Sequence, residues 1–344
     1  MKKGNKYGVH RVIGAEGVLP QPAWQIDNKM KLYDNEILID VQVLNIDSAS
    51  FTQIKEEAGG DVEKIKEKML GIVAERGKHH NPVTGSGGML IGTIEKIGDK
   101  LKDRDLKVGD RIATLVSLSL TPLHIDKIKE VHSDIDQVEI EGKAILFESG
   151  IYAKLPEDLE DTLALAVLDV AGAAAQTAKL VKPGDNVLIV GAGGKSGLLC
   201  LYEAKKRAGV TGKVIGLGHS DSSCDRIREL GLADVVLQGD ATKPVEIMEL
   251  VEEATDGELV DIVINNVNIP DTEMSSILAT KDDGKIYFFS MATSFTKAAL
   301  GAEGVGKDVE MIVGNGYTRG HAEISLELMR ESKKLREIFT RLYT

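Results

Sequence analysis

Hydrophobic positions along this chain keep two rhythms, and the switch between them divides it. Ile37, Ile39, Val41 and Val43 alternate with Leu38, Asp40 and Gln42, mostly at a period of two, which predicts a half-buried strand ending at Asn45-Ile46-Asp47-Ser48. From Asp61 to Arg76 the apolar residues Val62, Ile65, Met69, Ile72 and Val73 form one stripe among Glu and Lys, the spacing of an amphipathic packing helix. The first 155 or so residues read as β-rich with turns, and beyond them the pattern changes. Val187, Leu188, Ile189 and Val190 make an unbroken apolar run, as in a parallel strand covered on both faces. Leu198, Leu201, Tyr202 and Ala208 follow at helical spacing, with Glu203, Lys205, Lys206 and Arg207 on the wet side. Lys213 to Gly218 predicts a second buried strand, with a helix behind it from Asp225 to Leu232. Leu259 to Asn266 and Gly284 to Thr293 predict two more strands, and Ala322 to Phe339 one closing helix.

Between the first run and its helix stand Gly191-Ala192-Gly193-Gly194-Lys195-Ser196-Gly197. Gly191, Gly194 and Gly197 fit G-x-x-G-x-x-G, while Gly191 and Gly193 begin a G-x-G-x-x-[GA] pattern with the small Ser196 in its last place. Both describe a dinucleotide turn, where free N–H groups at a helix N-terminus favour a pyrophosphate. A nucleotide P-loop would put its first glycine on Ile189, and that mismatch counts against it.

A chain of 344 residues is two domains by size, placed here at 1–155 and 156–344. Its net charge of −12 argues against a nucleic-acid partner and suits a cationic substrate. Without a signal-like N-terminus or an apolar run long enough to span a bilayer, no membrane association is expected and the cytoplasm is the expected compartment. Cys200 and Cys224 are isolated, so neither a disulfide framework nor a cysteine zinc site can be built.

Specific chemistry enters with four longer segments. Asn81-Pro-Val-Thr-Gly-Ser-Gly-Gly-Met-Leu-Ile-Gly-Thr-Ile-Glu-Lys-Ile-Gly98, Lys107-Val-Gly-Asp-Arg-Ile112, Tyr152-Ala-Lys-Leu-Pro156 and Val181-Lys-Pro-Gly-Asp-Asn-Val-Leu-Ile-Val-Gly191 resemble the medium-chain dehydrogenase/reductase family. The resemblance implies an α/β protein: a GroES-like β-rich catalytic domain, here with a helical insertion near 61–76, followed by a Rossmann domain with a doubly wound parallel sheet. Many members carry Gly-His-Glu where this chain has Gly85-Ser86-Gly87, and a cysteine in the segment corresponding to Asp47 to Ser50. Both usual metal ligands are missing, so no metal is expected. Leu44-Asn-Ile-Asp-Ser-Ala-Ser50, Leu168-Asp-Val-Ala-Gly-Ala-Ala-Ala-Gln-Thr177 and the glycine turn narrow the likeness to the diamino-acid dehydrogenases of anaerobic lysine fermentation.

What the resemblance implies is an NAD- or NADP-dependent oxidoreductase acting on a small-molecule diamino acid. Hydride leaves the carbon bearing the 3-amino group, and the imine is hydrolysed to ketone and ammonia. Gly191, Gly193, Gly194, Lys195, Ser196 and Gly197 are the expected cofactor turn. About 20 residues on, an acid would select NAD, but His219 and Ser220 stand there, with Arg226 near, which suits dual use of NAD and NADP. By the same resemblance Asn265, Asn266, Val267, Ser290 and Met291 are candidate cofactor contacts, though strand-end amides also cap turns. Asp47, at the strand end, is the first candidate base, with Ser48 as relay and Ser86 in the vacant metal-ligand segment. Glu148 is a candidate for the second ammonium, and His79 and His80 for titration near neutrality. The family's pairing through the Rossmann sheet edge implies a homodimer or tetramer. Two rivals use the same residues: a zinc-independent quinone or enone reductase, and a dinucleotide-binding module without catalysis.

Overall fold

The computed structural model describes residues 1–314 and 316–344, in two compact units, Met1–Asp161 and Thr162–Thr344. The first is built on strands β1 (Glu36–Ile46), β2 (Gly88–Ile97), β3 (Arg111–Thr114), β4 (Leu123–His132), β5 (Gln137–Phe147) and β6 (Tyr152–Lys154). They form an antiparallel sheet in the order β4-β5-β1-β2-β3-β6. Alternation along β1 buries Ile37, Ile39 and Val41 and leaves Asp40 exposed, as the period of two requires. The chain then turns at Asp47 into helix α1 (Ser48–Glu57), and α2 (Val62–Arg76) follows. Asp61 caps α2, its carboxylate accepting from Glu63 N at 3.0 Å and Lys64 N at 3.3 Å, and Gly77 ends it at φ 71°. Ile65, Met69 and Val73 enter the same core as β1, while Val62 stays exposed. Packing is therefore what this helix does in its own unit.

The second unit opens with helices α3 (Asp161–Leu168) and α4 (Ala171–Leu180). Its parallel sheet holds β7 (Val187–Val190), β8 (Val214–Gly218), β9 (Val235–Gln238), β10 (Val260–Asn265), β11 (Thr280–Phe288) and β12 (Glu310–Val313) in the order β9-β8-β7-β10-β11-β12. The order in which the chain adds strands reverses between the parallel neighbours β7 and β10, which places a crevice outside their carboxyl ends. Helix α5 (Lys195–Ala208) leaves β7 through the glycine turn, and α6 (Asp221–Leu230) follows β8.

Three elements depart from the sequence expectation, and the units divide after Asp161 rather than after residue 155. Helix α6 starts four residues early, because Ser220 and Ser223 form a reciprocal capping box ahead of Asp225. Strand β11 starts at Thr280 rather than Gly284, its polar Lys281-Asp282-Asp283 stretch hiding a register shift against β10. The closing helix is two, His321–Glu331 and Lys333–Tyr343, broken where Ser332 leaves helical geometry at ψ 102° and caps Leu335 N at 3.1 Å. Among the described residues no single helix is long and apolar enough to cross a membrane.

Candidate functional site

The glycine turn works through three glycines at a spacing neither motif states. Gly191 turns the chain at φ 76°. A Cβ on Gly193 would fall 2.3 Å from Ser223 O, and one on Gly197 would fall 2.2 Å from Gly191 O. Gly194 differs: a Cβ there would meet only Gly191 O, at a van der Waals distance of 3.4 Å, so the fold of the turn does not itself require glycine at the helix N-terminus. From α6, Arg226 Nε donates to Gly193 O at 2.7 Å and ties the turn down. That bond engages Nε of the guanidinium that the sequence places near His219 and Ser220. Lys195 is engaged as well, with its Nζ 3.1 Å from Asp169 Oδ2 and 5.3 Å from the Tyr343 ring centre. Ser196 is buried in the first turn of α5.

At the end of β8 the structure carries no carboxylate on Gly218, His219 or Ser220. His219 is exposed, while the Ser220 hydroxyl accepts from Ser223 N at 3.3 Å as the helix cap. Asp221, next along, accepts from Gln238 Nε2 at 3.0 Å. A shallow cavity of about 80 Å³ opens there, lined by Gly191, Leu217, His219, Asp240, Val267 and Ile269 among others.

The two amides that end β10 are not equivalent. Asn265 is fully buried and its amide is consumed locally: Nδ2 donates to Thr272 Oγ1 and Ser276 Oγ, both at 3.0 Å, and Oδ1 accepts from Val267 N at 3.1 Å. Its side chain caps a turn and offers nothing to a ligand. Asn266, beside the Gly191 turn, keeps Nδ2 buried with no hydrogen-bond partner, a costly condition that a ligand acceptor would relieve. Ser290 Oγ donates to Asn268 Oδ1 at 3.2 Å, and Met291 is exposed. An open helix N-terminus, an orphaned amide donor and an apolar cavity at the strand ends together fit a nicotinamide dinucleotide.

In the first unit, Asp47 is exposed at the N-terminus of α1, and its carboxylate caps nothing. The expected relay through Ser48 does not form, because Ser48 Oγ donates to Asp136 Oδ2 at 2.6 Å. Ser86 instead joins a hydroxyl cluster: Ser50 Oγ lies 2.5 Å from Ser86 Oγ and 2.6 Å from Thr84 Oγ1, which are themselves 3.1 Å apart. Asn81 folds that loop, taking Val83 N at 2.8 Å and Thr84 N at 3.3 Å on Oδ1 while its Nδ2 donates to Gln53 Oε1 at 2.8 Å. Asp47 lies beside the same loop, its N–H 3.5 Å from Gly87 O. The sequence does not single out Ser50 or Thr84 as site residues; its one signal for this loop is the Asn81-Pro82 turn. Three neutral hydroxyls are not the thiolate and imidazole donors that zinc takes, so the residues at this place do not fit that metal.

The other titratable candidates are structural. Glu148 accepts from Lys100 Nζ at 2.9 Å and Asn35 Nδ2 at 3.0 Å, contacts that hold its carboxyl below the usual range. Burial depresses both His79 and His80 to about 4, so neither titrates near neutrality. Neither ring nitrogen of His79 has a hydrogen-bond partner; the backbone of Gly87 and of His79 itself lies near the ring without hydrogen-bond geometry. Lys78 Nζ, also buried, donates to Pro20 O at 2.6 Å, Gln21 O at 2.9 Å and Ala23 O at 2.7 Å.

Comparison with known proteins follows the same division. Residues 10–156 match the family model for the L-erythro-3,5-diaminohexanoate dehydrogenase N-terminal domain, and residues 196–315 match one described as zinc-binding dehydrogenase. The chain is 66% identical over 342 residues to an L-erythro-3,5-diaminohexanoate dehydrogenase of Acetoanaerobium sticklandii, covering 99% of each chain. A protein of the same name from Fusobacterium nucleatum is 64% identical over 344 residues, covering 100% of both. Among solved structures, the CurK enoyl reductase superposes with a TM-score of 0.56 at 18% identity, over 93% of this chain and 86% of that one. An Escherichia coli quinone oxidoreductase complexed with NADPH gives 0.54 at 17%, over 88% and 82%. At these identities the structural matches speak for the fold, that of the medium-chain reductases.

Proposed function

The chain belongs to the L-erythro-3,5-diaminohexanoate dehydrogenase family, and from that premise we propose that it catalyses NAD(P)-dependent oxidative deamination of L-erythro-3,5-diaminohexanoate to 5-amino-3-oxohexanoate and ammonia. The observation that carries the reading is the unbroken likeness to these dehydrogenases along both units, with an open dinucleotide cradle at Gly194 inside it. The bound nicotinamide supplies the acceptor for the hydride that leaves C3. The chain's own residues supply the rest.

The N-terminus of α5 at Gly194 and the Asn266 donor would hold the pyrophosphate side of the cofactor, and the cavity beside His219 would take its adenine end. With no carboxylate on Gly218, His219 or Ser220, with Asp221 held by Gln238 Nε2 and with Asp240 accepting from Thr242, the site accepts NAD and NADP alike. Hydride departs from a neutral amine and not from an ammonium, so a base must first take the C3 ammonium proton. Asp47 is that base, because the hydroxyls of Ser50, Thr84 and Ser86 do not ionise near neutrality and His79 is sealed in the core. Once the C3–H bond has broken, the hydroxyl cluster orients the water that adds to the imine carbon; its oxygen becomes the ketone oxygen and ammonia leaves. We place the active form as a homo-oligomer on family habit alone.

The test is nicotinamide reduction by the purified protein with 3,5-diaminohexanoate and either NAD or NADP, in parallel with and without EDTA. Turnover that yields ammonia and ignores EDTA supports the reading. Cofactor oxidation by a quinone or enone, with none driven by the keto acid plus ammonia, would replace it with the reductase.

A further inference from the structure

A cavity of about 600 Å³ in the first unit contains none of the residues assigned above, and its charge is opposite to that of the chain. Lys2, Lys29, Lys31 and Lys96 stand around it, all exposed and none in an ion pair among the described residues. Of the two carboxylates in the lining, Glu95 pairs with Lys143, while Asp27 keeps its charge, its Oδ1 accepting from the backbone N–H of Lys29 at 3.0 Å. On a protein of net charge −12, four ammonium groups facing the one carboxylate of Asp27 around one cavity make a local inversion of sign. The floor is apolar. Leu38, Met30 and Leu32 line the cavity and belong to a small cluster closed beneath by Ile145 and Phe147.

The wall is built before any ligand arrives. Arg11, fully buried, pairs with the buried Glu36 through Nε to Oε1 at 2.5 Å and Nη2 to Oε2 at 2.6 Å. The rest of its fork takes alternate carbonyls of one segment: Asp27 O at 3.0 Å, Lys29 O at 2.8 Å and Lys31 O at 3.0 Å. Glu36 Oε2 also accepts from Tyr33 N at 2.9 Å. One buried ion pair thus fixes the backbone that carries Lys29, Lys31 and the apolar residues between and after them, so ordering the site costs little on binding.

We propose that this cavity is a binding site for an amphiphilic organic anion: an apolar body seated on Leu38, Met30 and Leu32 with a diphosphate-like, multiply charged end held by the lysines. The volume lies within the range of small-molecule sites. The inference stands apart from the proposed dehydrogenase activity.

Calorimetry on the full-length protein tests it, with geranyl diphosphate as the probe and inorganic pyrophosphate and geraniol as its two halves. One equivalent of geranyl diphosphate should bind at least about tenfold more tightly than pyrophosphate, the gain of burying the apolar body. The Lys29→Glu/Lys31→Glu/Lys96→Glu variant, its melting temperature and NADPH affinity unchanged, should lose more than about tenfold of that affinity. Absence of binding, or equal binding by the variant, overturns the proposal. Pyrophosphate binding as tightly as the whole probe would reduce the site to a charged patch. A wild-type dimer that the substitutions convert to monomer would make this surface an interface between copies instead.

Discussion

Gly197 is packed so closely under Gly191 that a Cβ on it would fall 2.2 Å from the Gly191 carbonyl oxygen and 2.7 Å from Ala192 Cα, whereas a Cβ on Gly194 would find its nearest neighbour at 3.4 Å. One glycine is needed by the protein itself and the other by what the turn holds. Gly197→Ala should therefore cost stability, about 2 kcal/mol, since backbone atoms must move. Gly194→Ala should melt within a degree or two of the parent and lose at least about tenfold in dinucleotide affinity, because its methyl occupies the phosphate's approach. Thermal melts and cofactor fluorescence titrations separate the two. A Gly194→Ala protein with undiminished affinity would move the pyrophosphate off this turn.

The arrangement around Asp47 makes a second separation. Asp47→Asn removes the proposed base and should lower kcat about 100-fold while leaving the dinucleotide Kd unchanged. Ser50→Ala takes the central oxygen out of the hydroxyl cluster and leaves Thr84 and Ser86 on the loop, so a smaller loss in kcat, about tenfold, is expected. Steady-state kinetics on both variants decides. A Ser50→Ala effect larger than that of Asp47→Asn would assign the proton transfer to the cluster.

Acid stability follows from His79. In the unfolded chain its imidazole titrates near 6.5, while burial holds the folded value at about 4. Between those values the unfolded state binds the extra proton, so stability must fall as pH drops through this window and is fully present above it. For this residue the loss from pH 7 to pH 5 is about 2 kcal/mol, on a scale of about 1.4 kcal/mol per unit. Urea unfolding at the two values should show it, and His79→Phe should flatten the slope. An unchanged slope would mean that the imidazole is already protonated, or hydrated, in the folded state.

Much of this was legible in the sequence, and the misses share a cause. The unbroken run Val187 to Val190 and the glycines after it announce a buried strand feeding a helix, and the alternation in β1 announces its half-buried face, because both patterns report burial directly. Hydrogen-bond partners leave no such trace. Nothing in the spacing of Ser48 says that its hydroxyl goes to Asp136, 88 residues away, or that Ser50 meets both Thr84 and Ser86. Asn265 and Asn266 are adjacent and chemically identical, yet local folding saturates one and leaves the other a free donor. Periodicity finds elements; only the folded chain shows which polar group is already taken.

Cofactor choice turns on that same distinction. Strand β8 ends at Gly218, and a carboxylate near its end would accept the ribose hydroxyls of NAD and repel the 2′-phosphate of NADP. Asp221 is the nearest acid along the chain, but Gln238 Nε2 holds it at 3.0 Å and it opens helix α6, where the dipole favours its charge in place. The parent should accordingly use both cofactors with kcat/KM values within about tenfold of each other. His219→Asp puts a carboxylate at the exposed position and should cost NADP at least about tenfold more than NAD, from charge repulsion alone. Gln238→Ala should move the preference the same way but less, by freeing Asp221. If the parent already rejects NADP by more than about 100-fold, a loss that size is worth about 2.7 kcal/mol, and Asp221 must leave Gln238 when cofactor binds. In that case Asp221→Asn, and not His219→Asp, would be the substitution that changes the ratio.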